Sequence, residues 1–327
     1  MSKNIEIFCT IGPSTLNKKF LRFANDKIDL VRINLSHVAP NKIEHYIKFI
    51  KKNTTVPICI DTEGAQIRTK IKIKKRLKIN SIYKFFRNKN NYLYPNEVFD
   101  KLKKNDLLSI GFDDLKVKII KKTREYFLVK ILKSGLIETN KGVVILNRNL
   151  KLNYLTNNDN ISIKIAQSLG VGCYALSFTN NHLDVVNFKK KLPNARHIFK
   201  LESSAALRNY KKIIKFGKEF LIDRGDLSKE TSIYKIPFNQ RKITNEVKKR
   251  KKRVYIATNL LETMIEKPYP TRAEINDIYS CLEIGASGLV LAAETAIGRH
   301  PEECVNYINK MISEFKKNTK LLIWENI

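Results

Sequence analysis

Residues Phe199 to Asp226 read FKLESSAALRNYKKIIKFGKEFLIDRGD, and this stretch decides the fold. A β-prone run from Ala195 to Leu201 delivers Lys200 and Glu202. A helical pattern follows, with Leu207, Ile213, Ile214 and Phe216 apolar among lysines. A second run, Glu219 to Ile222, then delivers Asp226 within Arg224-Gly225-Asp226. Strand–helix–strand implies a right-handed parallel crossover, so both strand ends point the same way. One cation and two carboxylates therefore converge on one face of a parallel sheet. Carboxylates that share a site repel one another unless a cation sits between them, and a hard divalent metal meets that need. An adjacent lysine suits phosphoryl transfer, where metal and ammonium both stabilise the charge on the group in flight. The structural alternative is a salt-bridge cluster, since charged residues are common at strand ends.

Outward from this stretch, short apolar runs recur, each ending in a polar or glycine-containing turn and followed by a helical pattern. Before it come Ile5–Cys9, Leu30–Ile33 and Val56–Ile60, which end in Thr10-Ile11-Gly12-Pro13, Asn34-Leu35-Ser36-His37 and Asp61-Thr62-Glu63-Gly64. From about Lys70 to Leu152 the rhythm breaks into short β-rich pieces, among them IKIKKRLKI, DLLSIGFDDLKVKII and EYFLVKIL, which predicts an all-β insertion. The alternation resumes with Val171–Leu176, the opening pair, Val254–Ala257 and Leu289–Ala292. Roughly eight strand–helix units predict an α/β chain folded as a (β/α)8 barrel. The expected division is barrel over 1–70, inserted β domain over 71–152, and barrel again over 153–327. Polar clusters fall at nearly every run's C-terminal end, where such barrels carry active sites, and this speaks against a chance salt-bridge cluster. Pro268 to Glu274 has a structural explanation instead: Thr271 as N-cap and Glu274 as its partner open a helix through Ile278 and Leu282.

Composition narrows the class. The 327 residues are 43% hydrophobic, with no apolar run long enough to span a membrane. The start, MSKNIEIFCTIGP, has neither an apolar core nor a cleavage site of the secretory kind. Cys9, Cys59, Cys173, Cys281 and Cys304 are scattered without metal-type pairing, which suits reduced core residues of a cytoplasmic protein. The net charge of +31 fits an anionic substrate or nucleic acid. However, the lysines are dispersed along a chain rich in Lys, Asn and Ile. That argues for a coding bias, and no nucleic-acid-binding motif accompanies the charge.

Several strings together resemble pyruvate kinase over essentially the whole chain. They are Cys9 to Pro13, Val31-Arg32-Ile33-Asn34-Leu35-Ser36-His37, Ile60 to Gly64 with Ile67-Arg68-Thr69, Asn140-Lys141-Gly142-Val143, Lys200-Leu201-Glu202, Arg224 to Leu227, Ala257 to Glu262, Lys267 to Glu274 and Glu294-Thr295-Ala296. Each is only moderately specific, but their order around an interrupting β domain is strongly so. The resemblance implies a TIM barrel with a lid domain inserted after the third strand. It also implies the glycolytic transfer of a phosphoryl group from phosphoenolpyruvate to ADP, giving pyruvate and ATP with Mg²⁺ (or Mn²⁺) and K⁺.

By position, Glu202 and Asp226 would bind the divalent metal, and Lys200 would neutralise the phosphoryl group. Arg32 and Arg68 would hold the phosphate. Asn34, Ser36, Asp61 and Thr62 would form the potassium site. Gly225, Asp226 and Thr258 would hold the substrate carboxylate, with Thr258 near the carbon that is protonated, and Phe178 would pack on the enolpyruvate. His37 and Lys141 would approach the nucleotide. Homo-oligomerisation is left open.

This chain also departs from the family pattern. Asp223 replaces a small residue before Arg-Gly-Asp, Ser228 replaces a glycine, and Ala292-Ala293 replaces Ser-Gly before Glu294-Thr295. Gln66 stands where a Glu or Lys marks potassium dependence or independence, and Asn153 replaces a proline. The chain also stops after the helix Pro301 to Phe315, so the resemblance implies a minimal form without the effector-binding C-terminal domain. Asp223 and Ala292 keep two alternatives open, a related enzyme with another enolpyruvate or anionic substrate, and a non-catalytic binding protein.

Overall fold

The computed structural model describes residues 5–111, 115–148 and 150–324. Eight parallel strands close into a barrel, β1 (Glu6–Thr10), β2 (Leu30–Asn34), β3 (Ile58–Asp61), β4 (Cys173–Leu176), β5 (Arg196–Lys200), β6 (Glu219–Asp223), β7 (Arg253–Ala257) and β8 (Gly288–Leu291). Each pairs with its sequence neighbour, and β8 closes on β1. The TIM barrel expected from the eight apolar runs is therefore the fold. Nearly every strand residue is buried, as befits strands covered on both faces.

Inside the barrel lies one layer of Phe8, Leu30, Cys59, Ala175, Ile198, Leu221, Tyr255 and Val290 with Cys173 and Ala257. Strand side chains alternate with period two. The residues two beyond this layer are Thr10, Arg32, Asp61, Ser177, Lys200 and Asp223, and they share its inward face at the C-terminal end.

The helix Ser204–Phe216 starts at Ser203, whose side chain accepts from the amide of Ala206. It buries Ala206, Tyr210, Ile213 and Ile214, each large apolar side chain contributing on the order of 1.5–3 kcal/mol. Phe216, which the sequence pattern places among the apolar positions, is 42% exposed. It sits in the last turn, with its ring 5.3 Å from that of His182. The Thr271 capping box is present and opens the helix Arg272–Glu283, with Ile278 and Leu282 buried. The last helix, Pro301–Trp324, continues beyond Phe315.

The chain forms two compact units, Met1–Gly64 with Asn157–Ile327, and Ala65–Thr156. The sequence reading places these boundaries at 70/71 and 152/153. The first difference has a clear cause: Ile67–Lys70 is not a barrel strand but pairs antiparallel with Gly142–Ile145 and Tyr92–Tyr94. The second unit is all-β in its main sheet, inserted after β3, with strand order 82–86, 126–133, 115–122, 107–110, 142–145, 67–70 and 92–94. A two-stranded piece and the short helix Glu97–Lys101 complete it. Its core stacks Phe85 on Phe127 at 5.0 Å, with Phe99 alongside. The β-rich piece read from Asp106 to Ile120 includes residues 112–114, and the amino-terminal motif includes residues 1–4; these lie outside the described residues. No helix among the described residues is long and apolar enough to cross a membrane, and all five cysteines are buried and free.

Candidate active site at the C-terminal end of the barrel

Lys200 ends β5 and is 3% exposed. Its Nζ lies 3.1 Å from Glu202 Oε2, 3.3 Å from Asp61 Oδ2 and 3.5 Å from Asp223 Oδ2, and it donates to Ser177 Oγ at 3.1 Å. Burial alone would make this ammonium give up its proton. The carboxylates of Asp61, Glu202 and Asp223 outweigh burial and raise the lysine well above its ordinary range. A lysine held charged in this way cannot act as a base near neutrality. It is a fixed cation.

Arg32 comes from the inward face of β2. Its Nε and Nη2 meet Asp61 Oδ2 at 2.7 and 2.6 Å, and Nη1 donates to Thr10 Oγ1 at 2.9 Å. Burial opposes its charge, and Asp61 and Asp223 more than restore it. Asp61 ends β3, is fully buried, and joins Arg32 to Lys200 while its Oδ1 accepts from Ser177 Oγ at 3.1 Å.

Glu202 follows β5 by two residues and is fully buried. Its Oε1 accepts from the amide of Phe178 at 2.8 Å. Oε2 has no hydrogen-bond partner among the described residues, since Lys200 lies within ion-pair distance but off the hydrogen-bonding direction. Burial, with Asp226, Asp223 and Asp61 nearby, pushes this carboxyl up to about 8 against the pull of Lys200.

Asp223 ends β6 and caps the short helix Arg224–Glu230. Its Oδ1 accepts from Thr258 Oγ1 at 2.8 Å and weakly from the Asp226 amide at 3.4 Å. Burial would raise it, but Lys200, Arg32 and these hydrogen bonds hold it down to about 2. Asp226 lies in the first turn of that helix, paired with Lys229 at 2.5 Å. Glu202, Asp223 and Asp226 each offer an oxygen, and these atoms lie within 4.8 Å of one another. Four carboxylates thus face Lys200, Arg32 and Lys229. The hard oxygen donors and the orphaned buried Glu202 Oε2 fit Mg²⁺ or Mn²⁺.

The backbone around the cluster is held in unusual conformations. Thr258 and Asn259 follow β7 with φ of 69° and 55°, and Phe178 follows β4 with φ of 49°. A left-handed β-branched residue is strained unless its surroundings hold it there. Here Arg224 Nε donates to Thr258 O at 3.0 Å and Nη2 to Asn259 O at 3.1 Å, while Gly225 N donates to Thr258 Oγ1 at 3.0 Å. A side chain at Gly225 would begin 3.1 Å from Thr258 Cγ2. The turn after β3 is also built for close approach. Gly64 has φ +68°, and a Cβ there would lie 2.5 Å from Ser177 O. Asp159 accepts from the amides of Glu63 and Gly64 at 2.7 and 3.1 Å.

Of the residues expected from the sequence, the cluster brings together Arg32, Asp61, Lys200, Glu202, Gly225, Asp226 and Thr258, with Phe178 joined through its backbone. Thr62 Oγ1 accepts from the Ser177 amide at 3.0 Å. Asn34 stands opposite Asp61 across β2 and β3, and its side chain accepts from the Ser36 amide at 3.0 Å. His37 donates its amide to Asn34 O at 3.1 Å. Arg68 and Lys141 belong to the second unit. There Arg68 Nη1 donates to Asn140 O at 3.3 Å and Lys141 pairs with Glu138 at 2.8 Å. Sequence reasoning placed Ser177 and Thr10 at strand ends but gave neither a part in the site. Their signal was the inward phase of β4 and β1, two residues beyond Ala175 and Phe8. Asp223, noted from the sequence as a departure from the family pattern, stands beside Glu202 and Asp226.

A buried charged lysine among carboxylates stands at the C-terminal ends of the strands of a (β/α)8 barrel interrupted by a β unit, the end where such barrels carry their active sites. The family model "Pyruvate kinase, barrel domain" matches residues 2–305, and the chain belongs to the pyruvate kinase family. It is 30% identical to a protein named pyruvate kinase from Thermotoga maritima, across 96% of this chain and 72% of that one. It is 30% identical to the one from Methanocaldococcus jannaschii, across 95% and 69%. Against that of Borreliella burgdorferi it is 26% identical, across 100% and 71%.

Proposed function

We propose that the chain transfers the phosphoryl group of phosphoenolpyruvate to ADP, giving pyruvate and ATP. The observation that carries this reading is the buried ammonium of Lys200, held charged at the mouth of the barrel among Asp61, Glu202 and Asp223. A phosphoryl group in transfer spreads negative charge over its oxygens, and a preorganised cation stabilises it without reorganisation. Family membership supports the substrate pair, since the relatives carry the name pyruvate kinase.

Glu202 and Asp226 would hold a divalent cation, which supplies charge neutralisation to the phosphoryl oxygens when bound. Arg32, locked by Asp61 and Thr10, would present its positive charge to the phosphate from β2, and Arg68 would join it. The Thr258 hydroxyl, tied to Asp223 and the Gly225 amide, would orient the carboxylate end of the substrate beside Phe178. His37 and Lys141 would serve the nucleotide.

Asn34, Ser36, Asp61 and Thr62 would hold K⁺. Gln66 carries no charge and cannot replace that ion. A coupled assay of pyruvate release with ADP, Mg²⁺ and K⁺ tests both readings. Turnover should fall at least ~tenfold when a bulky organic cation replaces K⁺ at constant ionic strength, because a nearby positive charge is worth about 2–4 kcal/mol at intermediate dielectric. Equal rates in both salts would remove the potassium site, and no pyruvate in either salt would remove the function.

A further inference from the structure

We infer that Asp223 is a third protein ligand of the divalent cation, so that this chain binds the metal before any substrate arrives; the inference rests on the metal-assisted phosphotransfer reading above. Three observations carry it. An oxygen of Asp223 lies within 4.8 Å of ligand oxygens from both Glu202 and Asp226, on the same inward face of the barrel. Glu202 Oε2 is buried with no hydrogen-bond partner among the described residues, although Lys200 Nζ lies 3.1 Å away at ion-pair distance. The hydrogen bonds to Asp223 also leave it half committed. Thr258 Oγ1 and the Asp226 amide both engage Oδ1, and among the described residues Oδ2 has one ion-pair partner, the Lys200 ammonium, at the loose distance of 3.5 Å.

An N-cap needs only one acceptor oxygen, and Asn or Ser would serve there as well as Asp. The second oxygen is therefore not needed for the cap, and it meets Lys200 at 3.5 Å. Lys200 is shared among Asp61, Glu202 and Asp223, so a divalent cation beside Glu202, Asp223 and Asp226 would add the positive charge that one ammonium divides among three carboxylates. Affinity for hard divalent ions rises with the number of charged ligands, and Mg²⁺ takes about six oxygens. Three protein carboxylates leave about three positions for phosphoryl oxygens and water. The metal then comes to the substrate already bound, with less call on the substrate's own carboxylate as a ligand.

The test uses the full chain without phosphoenolpyruvate or nucleotide, titrated with Mn²⁺ and followed by electron paramagnetic resonance of the free ion and by calorimetry. The wild type should bind one Mn²⁺. Asp223→Asn keeps the cap and the Thr258 hydrogen bond but loses the charge, and should weaken Mn²⁺ binding about tenfold or more. Asp223→Ser, a second cap-competent replacement, should do the same, so the result does not depend on one variant folding. Both variants lose the ion pair to Lys200 and should melt lower without metal, so the deciding readout is the Mn²⁺ affinity of the folded variants, which a purely structural Asp223 would leave unchanged. Wild-type Mn²⁺ affinity in both variants, with Glu202→Gln weakened, would overturn the inference and leave the proposed function standing. No substrate-free Mn²⁺ binding by a wild type that nonetheless makes pyruvate would overturn it too. Unchanged binding in Glu202→Gln and Asp226→Asn as well would overturn the metal reading itself.

Discussion

The barrel carries a charge cluster at each end, half-buried at the N-terminal end and largely buried at the C-terminal end, and the two are built differently. At the N-terminal end, Arg196 reaches Glu219 and Glu6 at 2.7 Å, Arg253 reaches Glu6 at 2.9 Å, and Tyr255 lies 2.7 Å from each glutamate. Two arginines meet two glutamates, and the phenol, with one proton to donate, lies beside the Oε2 atom of each glutamate. At the C-terminal end, four carboxylates face three cations and one glutamate oxygen is left without a hydrogen bond. A satisfied network is a fold device, since each ionised group finds its partner within the chain. An unsatisfied one keeps a ligand's place. The same barrel thus separates a stabilising end from a reacting end, as in other (β/α)8 proteins.

Substitutions at the two ends should separate these roles. Lys200→Met is expected to lower the rate of phosphoryl transfer by about 10² to 10³ or more, on the scale of losing one preorganised charge donor. Circular dichroism should still show the folded barrel. An activity within a few-fold of wild type would erase the distinction between the ends. Arg196→Met should do the reverse. It leaves Glu6 and Glu219 without their shared partner and should cost about 2–3 kcal/mol of unfolding free energy, with initial rates nearly unchanged. Denaturant melts read the first quantity, and equal stability would show that the lower network is ornamental.

The pH dependence sharpens the contrast further. Glu202 is pushed up from 4.5 to about 8 in the folded chain, so the native state holds a proton that the unfolded state has lost across that window. Metal-free stability should therefore fall as pH rises from about 4.5 to about 8. A bound divalent ion must displace that proton, so Mn²⁺ affinity should climb through the same range, and calorimetry in two buffers should detect proton release. Asp223, held down to about 2, acts oppositely: its contribution is full above about 4 and is lost as pH falls toward 2. A flat stability profile from pH 5 to 8 in chelator would contradict the assignment of a protonated Glu202. The smallest expected effect lies away from both ends. Thr271→Ala removes one N-cap and should cost about 1 kcal/mol in a thermal melt, without altering turnover.

The fold was legible because apolar runs, turns and helical patterns repeat locally, and each strand–helix unit announces itself within about thirty residues. The inserted β unit was legible for the same reason, by loss of helical periodicity. Its first strand was not, because Ile67–Lys70 directly follows the turn after β3 and only its partners, Gly142–Ile145 and Tyr92–Tyr94, assign it to the second sheet. Lys200, Glu202 and Asp226 were readable from one parallel crossover. Ser177 was not, since a serine carries no signal until the inward phase of its strand is known. The lower network was invisible for a different reason. Glu6, Arg196, Glu219 and Arg253 stand at the starts of four strands, and only closure of the barrel makes them neighbours. Asp223 was seen, but its side chain's choice of Thr258 and Lys200 is a matter of rotamer and register that residue identity does not supply.

The central claim is that the C-terminal cluster moves a phosphoryl group from phosphoenolpyruvate to ADP, and phosphorus NMR of the two substrates with wild-type chain, Mg²⁺ and K⁺ tests it most directly. The phosphoenolpyruvate signal should be replaced, mole for mole, by the γ-phosphate of ATP, and Lys200→Met should leave both substrates untouched over the same period. Phosphoenolpyruvate that persists with the wild type, or that is lost to inorganic phosphate with no ATP formed, would contradict it.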